Sequence, residues 1–217
     1  MSHSLIRAAA VLALGGAALA AQADTVQLTG FTYSPATSLN VSVPSYNGPA
    51  GQYTGLLNGS SFTTYCTELT QTIGFGGTYS DFSIVSGAAA WGATKSQDLN
   101  RALSYFAASG MPTDAATSAA AQAVVWEILN ETGSSYDFTG GTFTASSTNA
   151  ATQTALNAVN WATIQGTAIT VTVDQLYSRE RQNLLVTTPV PEPSAYAMVL
   201  AGFGVLGFVA RRRARKA

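Results

Sequence analysis

The chain has 217 residues and a formal net charge of −1, with charged side chains making up only 10% of it. That total conceals a division: Arg211, Arg212, Arg213, Arg215 and Lys216 crowd one end, whereas residues 24–190 carry four cations against ten acidic residues, a net charge of −6. An acidic body lacks the basic footprint that nucleic acid requires, so no nucleic-acid partner is expected, and a composition rich in Gly, Ser, Thr, Ala and Asn suits an exported, β-rich domain.

Residues 1–23 read as a secretory signal peptide. Arg7 supplies a positive start, Ala8 to Leu19 is an uncharged apolar run, and Ala21-Gln22-Ala23 is an A-x-A cleavage site that predicts a cut between Ala23 and Asp24. Residues 24–187 then form one exported domain, long enough to bury a core without disulfides or metals.

Within it, Val26 and Leu28, then Leu39, Val41 and Val43, alternate as short strands do. Pro44 to Gly59 reads as turn-rich, with Asn47-Gly48-Pro49 and Asn58-Gly59. Ser61 to Thr70 is the next strand candidate, with Phe62, Thr64, Cys66 and Glu68 on one face and Thr63, Tyr65, Thr67 and Leu69 on the other. Phe75, Tyr79, Phe82 and Ile84 follow a glycine break. Leu99, Ala102, Leu103 and Phe106 have helical spacing within an Ala-rich run from Ala88 to Ala108, closed by Gly110, Met111 and Pro112. Thr113 or Asp114 caps a second helix over Ala115–Asn130, and a weak third is predicted over Thr148–Trp161. Strands resume at Ala168–Val173 and Leu184–Thr187. The class is α+β, short strands flanking two or three central helices.

Residues 188–217 form a separate tail. Pro191-Glu192-Pro193 breaks any helix running back into the domain and leaves an extended segment that a processing enzyme can grip. Ser194 to Ala210 is uncharged and just long enough for a membrane helix, and the arginines after it belong on the cytoplasmic side. This ordered triplet, apolar helix and Arg-rich end resembles the PEP-CTERM sorting signal of Gram-negative bacteria. The resemblance implies handling by an exosortase, transient residence of 194–210 in the inner membrane, and delivery to the cell surface or extracellular matrix. Its sorting residues here are Pro191, Glu192, Pro193, Arg211, Arg212 and Arg213.

The chemistry open to the domain is narrow. The single histidine, His3, lies in the signal peptide, so no His-based triad or His-ligated metal site is expected. One cysteine allows neither a Cys-rich metal site nor an internal disulfide. No phosphate-binding loop appears. Glu127 and Glu131, four apart on a helix, read as a solvated helix edge. No cofactor and no enzyme activity are expected.

Cys66 stands out, because a lone thiol in an oxidising exterior needs a reason. It is a buried inert thiol, half of an intermolecular disulfide, a nucleophile without a His base, or a sulfur bonded to something other than sulfur. Tyr65-Cys66-Thr67-Glu68-Leu69 and, 56 residues on, Gln122 within Ala121-Gln122-Ala123-Val124-Val125-Trp126 resemble the Cys and Gln motifs of bacterial surface thioester domains, with Ala121 where Thr is usual. The resemblance implies an internal thioester between Cys66 and Gln122, shielded by Tyr65 and Trp126, and covalent capture of a surface, matrix or exopolysaccharide-associated partner. The alternative is a non-reactive structural or biofilm-matrix protein of the same fold with Cys66 buried and free.

Overall fold

Alternating burial builds the first layer. The structure, a computed structural model, describes residues 23–133 and 135–190 together with Phe203 and Leu206. In β1 (Asp24–Phe31), Val26 and Leu28 are fully buried and their neighbours are not. This strand joins β4 (Tyr53–Leu57), β5 (Ser60–Thr64), β6 (Tyr79–Val85), β8 (Val171–Tyr177) and β9 (Leu184–Pro189) in an antiparallel sheet of order β5-β4-β1-β6-β8-β9. A second, smaller antiparallel sheet has the order β3-β2-β7, from β2 (Thr37–Val41), β3 (Tyr46–Ala50) and β7 (Ala145–Ser146). Between the early and late strands lie α1 (Gly87–Trp91), α2 (Ala93–Ser109), α3 (Ala115–Asn130), α4 (Ala150–Asn157) and α5 (Trp161–Gly166). The mixture of helix and sheet is the α+β class expected.

The large sheet closes on itself, and the closing seam carries Cys66. The strand predicted over Ser61–Thr70 ends at Thr64. Beyond it the chain leans across to the start of β9: Leu185 N–H donates to Tyr65 O at 3.0 Å, Thr67 N–H donates to Asn183 O at 2.9 Å, and Cys66 bridges Leu184. The hydroxyl of Thr64 also donates to Leu185 O at 2.6 Å. Just past the end of β5 and at the start of β9, the two edges of the sheet are thus occupied by each other over this short stretch, which covers backbone that an open edge would expose there.

The stretch Pro44–Gly59, expected as turns, contains two strands. Asn58 (φ +51°) and Gly59 (φ +79°) form a two-residue turn that pairs β4 with β5, because positive φ at both positions matches the twist of a hairpin. Asn47-Gly48-Pro49 sits within β3, an edge strand where a proline forfeits no ladder bond. The helix predicted over Ala88–Ala108 is broken at Gly92, whose φ of +84° ends α1 and begins α2. That over Thr148–Trp161 is two helices, each begun by an asparagine: Asn149 accepts from Thr152 N and Asn160 from Thr163 N, both at 3.0 Å.

Helix α3 has the predicted limits. Asp114 accepts from Thr117 N at 2.8 Å while Thr117 Oγ1 accepts from Asp114 N at 3.1 Å, a reciprocal cap. Every residue from Ser118 to Ile128 is buried. A helix apolar on all sides must be surrounded, and α3 packs against α2, α4, β2 and β3. The turn before β4 is fastened to it: Gln52 N–H donates to Ser118 Oγ at 2.8 Å, and Gly51 (φ +149°) comes so close that a Cβ would lie 2.7 Å from that oxygen. Total enclosure corrects one expectation. Glu127 and Glu131 are not a solvated edge; they are 0% and 3% exposed.

At the ends, Ala23 is exposed and β1 begins at Asp24; the rest of the expected signal peptide lies outside the described residues. So do Pro191, Glu192, Pro193, the terminal arginines and the expected membrane helix 194–210, except that Phe203 and Leu206 are helical and exposed. Among the described residues no helix is long and apolar enough to cross a membrane.

Candidate functional site

The seam and the buried helix meet at Cys66 and Gln122. Gln122 projects from the middle of α3, is 0% exposed, and clamps the backbone of Cys66 from both sides. Its Oε1 accepts from Cys66 N at 3.0 Å, and its Nε2 donates to Cys66 O at 2.8 Å. A buried carboxamide needs such partners, and the two bonds fix which end is oxygen. They also bring Cys66 Sγ to 3.3 Å from Oε1. The Cys66 N–H polarises the carbonyl that the sulfur faces, while the nitrogen is held on the far side by Cys66 O.

Beside the thiol lies a cavity of about 200 Å³. Cys66 and Trp126 line it, with an aromatic group drawn from distant segments: Phe31, Tyr53 and Phe75 pack with ring centroids 4.9–5.6 Å apart. Tyr46 meets Trp126 edge-on at 5.7 Å and also lines the space. Phe75 is 48% exposed and stands at the mouth. The remaining wall is the irregular loop after Cys66, held to the β8–β9 turn: Asn183 N–H donates to Glu68 Oε1 at 3.0 Å, Gln182 Nε2 to Glu68 O at 3.1 Å and Gln71 Nε2 to Arg179 O at 3.0 Å.

Burial pushes the Cys66 thiol up to about 12; the side chains of Tyr53 and Trp126, which favour its anion, offset only part of that, and the charge of Glu68 raises it further. The free thiol is therefore protonated at neutral pH. The Trp126 N–H stands near enough to favour the thiolate, yet makes no hydrogen bond of ordinary geometry.

Of the two residues expected to shield the pair, Trp126 lines the cavity and Tyr65 does not. Tyr65 is buried on the opposite side of the seam, beside Gln52 and Phe106 in a different cavity, because successive residues of an extended chain point to opposite faces. Its place is taken by Tyr53 and Tyr46, which sequence reading missed within the supposed turns. Further along α3, Glu131 accepts from the N–H groups of Gly133, Thr142 and Phe143, which hold its carboxylate below the usual range. Glu127 accepts from Asp137 N at 2.8 Å, but its other oxygen has no partner, and burial pushes it up to about 7. Among the described residues no three His, Cys, Asp or Glu side chains group as metal ligands.

Residues 189–213 match the PEP-CTERM protein-sorting motif. The match covers the Pro-Glu-Pro triplet, the apolar run and the first three arginines of the end. It implies an exported protein, sorted by an exosortase and routed through the membrane to the cell surface. No curated protein and no solved structure matches the chain.

Proposed function

We infer that the exported domain is a covalent-capture module rather than an enzyme, with an internal thioester between Cys66 and Gln122 as its reactive group, delivered to a Gram-negative surface or matrix by its sorting tail. The observation that carries this is the clamp: the carboxamide of Gln122 is held against Cys66 with Sγ 3.3 Å from Oε1, next to a cavity that opens between aromatic side chains. To form the bond, sulfur adds to Gln122 Cδ, the carbon–nitrogen bond breaks, and the thiol proton leaves with the nitrogen as ammonia. The Cys66 N–H stabilises charge on Oε1 during addition, as an oxyanion donor does. An amine on a surface, matrix or exopolysaccharide-associated partner would then displace the sulfur and remain attached through an amide. The energy is stored in the bond, so no histidine is required, and each molecule acts once.

Intact mass of the purified domain tests the reading. A deficit of one ammonia, about 17 Da, is expected in the parent chain and is absent from Cys66→Ser and Gln122→Ala. An unmodified parent mass, with Cys66 freely alkylated, overturns it. The second reading is a non-reactive matrix protein with Cys66 as a core thiol. One observation favours it: a thioester forfeits the 2.8 Å bond from Gln122 Nε2 to Cys66 O.

A further inference from the structure

Two residues that line the Cys66 cavity each carry a buried polar atom with no hydrogen-bond partner among the described residues. One is the Trp126 indole N–H, a donor on a side chain that is 1% exposed. The other is Gln71 Oε1, an acceptor. The orientation of the Gln71 amide is fixed, because its Nε2 donates to Arg179 O at 3.0 Å. Native interiors seldom leave such groups unpaired without a use. Here the residues that carry an unpaired donor and an unpaired acceptor line one chamber with Cys66. The residue that carries the donor lines the same space as Cys66, and the acceptor belongs to the loop that forms the wall.

Resting on the thioester reading above, we propose that these atoms assist aminolysis: Gln71 Oε1 accepts an N–H of the entering primary amine, and Trp126 Nε1–H donates to Cys66 Sγ as the carbon–sulfur bond breaks. In that step the amine lone pair adds to Gln122 Cδ and a carbon–nitrogen bond forms. The carbon–sulfur bond breaks with its electron pair on sulfur, and the proton shed by the amine ends there. The products are a secondary amide on Gln122 and the Cys66 thiol, with no co-reactant. A thiolate in this chamber is a poor leaving group, since burial opposes its charge, the Glu68 carboxylate adds to that, and Tyr53 offsets only part of it. A donor available to the departing sulfur matters most where solvent cannot supply one. Gln71, by contrast, distinguishes an amine, which brings N–H groups, from an apolar intruder.

The two roles separate kinetically in the full exported domain with methylamine as the probe. Trp126→Phe keeps an aromatic ring but removes the donor. It is expected to retain the ammonia deficit and to slow both methylamine uptake and spontaneous hydrolysis by at least about tenfold, because both steps expel the same sulfur. Gln71→Leu is expected to slow methylamine uptake alone. If Trp126 were only a shield, its loss would speed hydrolysis, and that result overturns the donor role. Equal slowing of both reactions by Gln71→Leu, or parent rates in that variant, overturns the acceptor role, and parent rates in Trp126→Phe overturn the donor role. Should the parent lack the mass deficit, it is the thioester reading that falls. The Trp126–sulfur contact is then read by iodoacetamide alkylation of the free thiol: Trp126→Phe is expected to slow it at fixed pH, and an unchanged rate overturns the contact.

Discussion

Two of the polar side chains buried by helix α3 and its C-cap, Gln122 and Glu131, are finished differently. At the middle of the helix, Gln122 satisfies both its ends on a single residue of the sheet seam, and the space next to that contact is lined by Trp126 and Gln71, each of which carries an unpaired buried polar atom. At its C-terminal end, Glu131 gathers backbone N–H groups from the loop that follows, among them Thr142 and Phe143, and nothing around it is open. A carboxylate saturated by backbone donors is a fastening. A carboxamide clamped against a thiol at the edge of a cavity is a fastening with reactive atoms left facing a space. The contrast separates structural polarity from candidate chemistry within one helix, and it can be attacked at each end.

The largest effect is expected at the middle. Gln122→Leu keeps the volume and apolar character of α3 but leaves the buried N–H and C=O of Cys66 without partners, at about 1–3 kcal/mol each. Urea denaturation should therefore show a loss on the order of 2–5 kcal/mol, with Cys66 gaining reactivity toward alkylating agents as the seam loosens. If the variant matches the parent in stability, the clamp is not a structural element and the comparison with Glu131 collapses.

The C-terminal end is tested by pH. Glu127 and Glu131 lie one turn apart, yet their carboxyls are displaced in opposite directions. Glu127 in the folded protein is pushed to about 7 from an ordinary 4.5, chiefly by burial, so the folded state holds a proton that the unfolded chain has released. Its contribution is fully present below about pH 4.5 and is lost as pH rises to about 7, with a slope of at most about 1.4 kcal/mol per pH unit. Glu131 is lowered, chiefly by the Gly133 N–H. Its contribution is present above its ordinary value and is lost as pH falls through the folded one. Stability measured from pH 3 to 8 should therefore decline on both sides of a maximum near pH 4–5 from these two groups. Glu127→Gln removes the decline above pH 5, and an unchanged profile in that variant would show that its carboxyl titrates normally.

Much of this was legible before any coordinates, and the failures have local causes. The limits of α3 could be read because Asp114 caps it and Ala-rich helical spacing follows. The pairing of Cys66 with Gln122 rested on two short motifs, and the fold brings those residues into hydrogen-bond contact. The shield was misread at Tyr65, although strand alternation already places residues 65 and 66 on opposite faces. The cavity was not legible at all. Phe31, Tyr53 and Phe75 come from three segments with no shared period; the pairing of β1 with β4 sets Phe31 opposite Tyr53, and the loop after Cys66 brings Phe75 to both. Glu127 and Glu131 were misread because an i, i+4 pair of carboxylates looks solvated unless the surrounding Ala, Val, Trp and Ile positions are seen to be apolar on every side.

The smallest effect belongs to the exposed start of the same helix, and it serves as the control for the other two. Asp114 is exposed, and its work is local: it accepts from Thr117 N at 2.8 Å and from Thr117 Oγ1 at 2.8 Å, bonds that hold its carboxyl below the usual carboxylate range in the folded chain. Asp114→Ala should cost about 1 kcal/mol, the usual worth of an N-cap. Asp114→Asn, which keeps the acceptor oxygen and loses the charge, should recover most of it. Neither change reaches the seam, so the mass of the domain and the alkylation rate of Cys66 should remain those of the parent. If Asp114→Ala instead loosened Cys66 as much as Gln122→Leu does, α3 would be responding as one rigid unit. The difference between its middle and its ends would then be a matter of overall helix stability rather than of what each side chain touches.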